Sequence, residues 1–431
     1  MLYRADIVIA GRGEVIPAGA VRIAGNRILA VGSASELPPL PGEPVVDLPG
    51  QVLSPGFINS HCHLDYSRMK GLIPRASFTK WIASINSHKR CFSDDDFIEA
   101  IHHGFELLIT SGTTTVGNIE SFPELLPRLP APPIRTWWFL ELNDLRIRPD
   151  TEERTMGVLS FFHNRPGWLG GFGLSPHAPY SASLDLYRLA RHCSERYHMP
   201  FTTHIAESRE ENEMFLYGSG PLHDMMAKLG RDNSDCGHGS SLSHLVEHEV
   251  LTQDCLAVHL NYMQEYDWEC LKRSGASVVH CPKSHAYFGY AEFQMERMRR
   301  EGINVCLGTD SLASNTSLDL RAEARLVLAR HGIALRDPSD PQELARIEWN
   351  GGEVQGTLTP ADIWRMMTVH PAKALGQAGR LGELIPGALA DIVAFPLRPQ
   401  SGNDPFLSLI EGTSAPTCFV IDGRRIISED R

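Results

Sequence analysis

The chain lacks any apolar run of the ~20 residues that a membrane-spanning helix requires, and no basic-then-apolar leader opens it. A cytoplasmic protein without a membrane partner is therefore expected. Excess positive charge is lacking too, since 40 Lys and Arg against 52 Asp and Glu leave a net charge of −12. A broad phosphate-contacting surface needs the opposite balance, which argues against a nucleic-acid partner. The nine cysteines contain no Cys-x-x-Cys pair, and their number is odd. That fits reduced thiols better than a disulfide framework. No Gly-x-Gly-x-x-Gly follows the first strand-like segment, which disfavours a dinucleotide-binding open sheet. Finally, no lysine lies between Lys89 and Lys228.

What the chain does have is alternation. Residues 1–55 carry short strand-like runs broken by Gly and Pro, among them Asp6-Ile7-Val8-Ile9, Ala20-Val21-Arg22-Ile23 and Arg27-Ile28-Leu29-Ala30-Val31. Ala24-Gly25-Asn26 between the last two predicts a hairpin. The same texture returns at 390–395 and 417–423. Each end is too small to bury a core, so residues 1–55 and 380–431 are expected to pair as one small β-sandwich domain. Between them, residues 56–379 offer eight strand candidates, at 57–61, 113–117, 136–140, 170–174, 201–203, 256–258, 277–279 and 305–308. Stretches with apolar spacings of three and four, such as 184–197, 291–300 and 318–330, predict helices between several of them. Strand and helix alternating eight times predict the α/β class and a closed (β/α)8 barrel.

In such a barrel, chemistry gathers at the C-terminal ends of the strands. The first candidate strand ends in His61-Cys62-His63, and side chains two apart on a strand emerge on the same side. His177 follows the fourth strand, His204 and Glu207 the fifth, His259 the sixth, His280 the seventh and Asp310 the eighth. Packing alone does not explain His or Asp at six strand ends on one rim. A catalytic divalent ion takes about four ligands and keeps a position open to water. His61, His63, His204 and Asp310 supply three neutral imidazoles and one carboxylate. Metal binding would bring the pKa of water from ~15.7 towards ~7 and so give a nucleophile at neutral pH. Glu207, three residues beyond His204, is placed to face the substrate beside the metal without ligating it, as a general acid/base must. Glu210, Glu211 and Glu213 of the following run read as solvated. The lysine gap spans the third, fourth and fifth strands, so a lysine-bridged pair of metals has no bridge, and one divalent metal per chain is expected.

Several motifs now join into one pattern. They are Pro55-Gly56-Phe57-Ile58-Asn59-Ser60-His61-Cys62-His63, His177-Ala178-Pro179-Tyr180-Ser181, Thr203-His204-Ile205-Ala206-Glu207-Ser208, and Gly308-Thr309-Asp310-Ser311-Leu312-Ala313-Ser314-Asn315, with the segment 382–393 near the end. Over nearly its whole length the chain resembles the amidohydrolase superfamily, in its branch of cytosine, guanine, S-adenosylhomocysteine and triazine hydrolases. The resemblance implies hydrolytic deamination of a small molecule at a mononuclear site, with zinc the first expectation and iron the second. It implies that Glu207 shuttles a proton to a ring nitrogen and that His259 acts on the attacking water together with Asp310. It implies that His177 touches the ring or ribosyl part of the substrate. His63-Leu64-Asp65-Tyr66-Ser67 and Phe78-Thr79-Lys80-Trp81 look like the aminofutalosine deaminases of the futalosine route to menaquinone. Asp65 stands where Glu is more usual there, and Lys283-Ser284-His285 departs from a more usual Ser-Asn. Trp81 is expected to wall the pocket by stacking, and Glu141 and Arg148 to hydrogen-bond ribose or a terminal carboxylate. A homodimer is expected. The competing readings are a guanine- or triazine-type hydrolase and a silent barrel that only binds. Scaffolds have no reason to keep Glu207, His259 and the ligand set together, which weighs against the last.

Overall fold

A computed structural model of the chain describes residues 1–145, 151–165, 167–332, 358–398, 401 and 404–426. The N-terminal segment supplies β1 (Leu2–Ala10), β2 (Glu14–Ala24), β3 (Arg27–Ser33) and β4 (Val45–Pro55). Eight strands follow: β5 (Phe57–Cys62), β6 (Thr113–Glu120), β7 (Arg135–Leu142), β8 (Gly170–Pro176), β9 (Phe201–Ile205), β10 (Cys255–His259), β11 (Ser277–His280) and β12 (Val305–Leu307). The chain then returns through β13 (Ile392–Pro396), β14 (Cys418–Ile421) and β15 (Arg424–Arg425). Strands β5 to β12 lie side by side in sequence order, each pair parallel. Each falls where the hydrophobic pattern predicts a strand, because a parallel strand buried on both faces reads as a nearly continuous apolar run.

The eight strands close into a barrel through a bridge between Cys62 and Asp310. The amides of Thr309 and Asp310 both donate to the His61 carbonyl at 3.1 Å. Gly308 permits this approach, since a Cβ there would lie 2.9 Å from the Cβ of His61. Alternation sorts the side chains. On β7, Trp137 and Phe139 fill the barrel with Ile58, Leu256, Val258 and Val279, while Trp138 and Leu140 join the outer core beneath the helices.

The two chain ends pair with each other in one seven-stranded mixed sheet, ordered β15-β14-β13-β4-β1-β2-β3. β2 and β3 form the hairpin expected around Gly25-Asn26. One face of the sheet buries Val8, Leu53, Ile392 and Val420 with Leu384 and Ala388 in a core of its own. The adjacent residues Ile9, Val52, Val393, Phe419 and Ile421 join the barrel's outer core. A period of two thus welds the sheet to the barrel, and only Gly56 separates β4 from β5. β4 is not apparent in the sequence because Pro49 and Gly50 interrupt it. They sit where its register with β1 shifts, between Ala5 and Ile7, so the missing proline N–H costs no ladder bond.

Candidate active site

Closure of the barrel brings the histidines of β5, β9 and β10 against Asp310. The Nε2 atoms of His61 and His63 lie 3.8 and 3.7 Å from Asp310 Oδ1. Donor atoms of His61, His63 and Asp310 fall within 4.8 Å of one another, as do those of His61, His204 and His259. Both groups share His61, so the five side chains form one cluster. His204 bonds through Nδ1 to the His177 carbonyl at 2.7 Å, which leaves Nε2 as its available donor. His61 is 0% exposed, and neither of its ring nitrogens makes a hydrogen bond among the described residues. A buried imidazole with two orphaned nitrogens is costly in a packed protein and suits a cation ligand. Burial holds His63, His204 and His259 well below the usual imidazole range, the neutral form that a metal requires. Burial pushes the Asp310 carboxyl up, but His61, with His63 and His259 beside it, outweighs that and holds it well below the carboxylate range. Its oxygens are also fixed by protein donors: Ser311 N–H gives to Oδ1 at 2.7 Å, and the hydroxyls of Ser284 and Ser314 give to Oδ2 at 2.6 and 3.1 Å. The donor set therefore fits one divalent ion.

The backbone bends sharply where these side chains leave the strands. Ala206, His259 and Asp310 have φ of 50°, 79° and 56°, a left-handed conformation unusual for residues with a Cβ. Such strain costs on the order of 1–3 kcal/mol per residue and concentrates at functional sites. Beyond Ala206 the turn carries Glu207, whose Oε1 lies 3.8 Å from Nε2 of His259. Burial, with Asp310 and Glu211 nearby, pushes the Glu207 carboxyl well above its usual range.

Glu207, His259, Asp310, His63, His204, His177, Trp81 and Glu141 all line one cavity of about 420 Å³. Its remaining wall mixes apolar side chains, among them Phe78, Ile82, Leu145, Met225 and Met226, with the polar Asn86, Lys89, Arg90 and Asn143. Trp81 packs edge-on against Phe288 at 5.1 Å, and His177 bonds to the Ser181 hydroxyl at 2.6 Å. A larger cleft of about 790 Å³ opens between Arg68, Lys70, Thr316 and Arg321. None of the clustered donors lines it, so the smaller cavity is where chemistry can occur. Arg148 lies outside the described residues.

The three glutamates expected in solvent are all at least partly buried. Glu213 pairs with the exposed Arg209 at 3.1 Å. Glu210, half-buried like Glu213, accepts from the Thr79 amide at 2.8 Å, and Glu211 is fully buried under the Glu207 turn. Ser284 and Ser314, whose sequence motifs carry no hint of this role, fix Asp310, and Lys89 lines the cavity and donates to Tyr66 at 2.5 Å. A signal for Glu211 existed in Ser208-x-x-Glu211, the pattern of a helix capping box.

The sequence profile of the Amidohydrolase family matches residues 52–426. The 5-methylthioadenosine/S-adenosylhomocysteine deaminase of Pyrococcus abyssi is 27% identical over 425 residues, covering 95% of this chain and 89% of its own. The aminodeoxyfutalosine deaminase of Deinococcus radiodurans is 29% identical over 375 residues, covering 83% and 86%. Among solved structures, Helicobacter pylori aminofutalosine deaminase in complex with methylthio-coformycin has the same fold, with a TM-score of 0.81 at 22% identity over 99% of this chain and 100% of that one. With barrel, donor cluster and family profile in agreement across most of its length, this chain belongs to the amidohydrolase family, as a metal-dependent hydrolase acting on C–N bonds.

Proposed function

We propose that the protein hydrolytically deaminates a 6-aminopurine nucleoside with an extended 5′ substituent, aminofutalosine being the first choice, and that zinc is its resident ion. One observation carries this reading: Glu207 and His259 face each other at the His–Asp cluster, on a cavity whose wall carries the apolar side chains Phe78, Ile82, Leu145, Met225 and Met226. The two relatives add support, since each is named for a deaminase of a 5′-modified adenosine. His61, His63, His204 and Asp310 would hold the ion, a nitrogen-rich set that suits zinc and also iron. When bound, the ion supplies Lewis acidity and a lowered pKa for water.

The residues do the rest. Glu207, kept protonated by burial, gives its proton to the ring nitrogen beside the amine-bearing carbon. Asp310 stays anionic and takes a proton from the attacking water, while neutral His259 orients that water. Asp310 then passes that proton to the amino group, the C–N bond breaks as ammonia leaves, and the new hydroxyl returns a proton to Glu207, so water and the amine become a ring carbonyl and ammonia. Trp81 walls the ring or its extension, His177 contacts the nucleoside and Glu141 binds ribose hydroxyls.

Ammonia release from metal-loaded protein tests the reading. Aminofutalosine, 5′-methylthioadenosine and S-adenosylhomocysteine should each exceed adenosine in kcat/KM, because the apolar wall gains about 25 cal/mol per Å² of extension it buries. Preference for guanine or a chlorotriazine would overturn the substrate, and no hydrolysis of any of these rings would overturn the deaminase.

A further inference from the structure

We infer that Glu211 is a positioning residue, which holds the proton-donating Glu207 in place by gripping its backbone; the inference rests on the deaminase reading above. Glu211 is 0% exposed, and its two oxygens divide between two successive amides. Oε1 accepts from the Ala206 N–H at 2.8 Å, and Oε2 accepts from the Glu207 N–H at 2.9 Å. The turn it grips is the one strained at Ala206, with φ of 50°.

The helix Arg209–Tyr217 explains how the grip arises. Ser208 caps it, accepting from the Glu211 N–H at 3.0 Å, and Glu211 is the third helical residue. In an ordinary capping box that acid reaches back to the N–H of the cap itself. Here it extends beyond the cap to the two amides before it, and one of these belongs to Glu207. A second buried side chain takes the opposite side of the same residue. Asn261 Nδ2 donates to the Glu207 carbonyl at 2.9 Å, and Asn261 Oδ1 bonds to Nδ1 of His285 at 2.8 Å. Both main-chain polar groups of Glu207 are thus held by buried side chains, and capping alone requires neither bond.

Both Glu211 oxygens must accept. Glutamine keeps the shape but turns an N–H₂ towards one of the two amides, so one bond is lost and the turn can shift. A displacement of about 1 Å in a catalytic group costs on the order of 100-fold in rate. Glu211→Gln should therefore lower kcat about 10- to 100-fold, the range typical of residues that orient a reacting group. KM and metal content should stay within about twofold, inside that margin.

A double-mutant cycle separates positioning from a general structural role. In a Glu207→Gln background the group to be placed is gone, so adding Glu211→Gln should cost nothing more in kcat. Asn261→Ala loosens the same turn from its carbonyl side and should give the same signature, which covers a Glu211→Gln protein that fails to fold. Equal losses in both backgrounds, or wild-type kcat in Glu211→Gln, would overturn the inference while leaving the deaminase reading intact. Full activity in Glu207→Gln would overturn both.

Discussion

A buried histidine whose ring nitrogens make no hydrogen bond among the described residues is the residue that most constrains this site. His61 belongs to both donor groups, so its loss should cost more than the loss of any other donor. In His61→Ala, elemental analysis should find little divalent metal, where the wild type should hold about one per chain. The circular dichroism spectrum should stay native, because His61 packs at the rim and not in the apolar barrel layer. Undiminished metal in that variant, or two metals in the wild type, would refute the proposed ligand set. At this scale the sequence was informative wherever a residue's position on a strand fixes its direction. His61 and His63 follow from alternation, and His204, His259 and Asp310 from standing at strand ends. Glu211 was hidden because composition suggested a solvated acidic run, and only a turn in space brings it under Glu207. The departure at Lys283-Ser284-His285 also acquires a physical role, since Ser284 donates to Asp310 and His285 steadies Asn261.

Elements, unlike residues, place the cavity's apolar wall. The helix Phe78–Lys89 carries Trp81 on that wall, and the bond from the Thr79 amide to Glu210 ties its start to the helix that follows Glu207. The wall and the proton donor are therefore mechanically joined. Trp81→Ala should lower kcat/KM about tenfold for a nucleoside with a bulky 5′ group, in line with 0.5–1.5 kcal/mol for an aromatic contact beyond simple burial. The loss should be smaller for adenosine, which has less to stack. Steady-state kinetics on the two substrates checks this, and equal losses would mean that Trp81 only supports the helix. Barrel strands were legible because their apolar runs need no pairing information. β4 was not, since the register shift that accommodates Pro49 and Gly50 exists only once β1 lies beside it.

The whole molecule depends on how the sheet built from both chain ends is fastened to the barrel. Texture at the two ends showed that each needed a partner, but not which buried charges would lock them. Arg135, at the start of β7, is 6% exposed and donates to Asp391 and, at 2.6 Å, to Asp422. Asp391 is 5% exposed and lies just before β13, so one guanidinium spans barrel and sheet. The amides that bond here reinforce the joint, with Gly56 N–H donating to the Asp391 carbonyl at 3.1 Å and Asp422 N–H to Asp391 Oδ1 at 2.8 Å. Burial already pushes the Asp391 carboxyl up, against the pull of Arg135. Removing the arginine strands that carboxylate, and breaking a buried pair in this way costs about 3–5 kcal/mol. Arg135→Ala should show that loss in denaturant unfolding at neutral pH. An acid whose folded pKa exceeds its unfolded value loses stability as pH rises and regains it as pH falls. The variant's deficit should therefore shrink on acidification, as Asp391 takes up the proton that replaces its partner. A deficit that does not change with pH would mean that packing around Arg135, and not its charge, joins the two sheets.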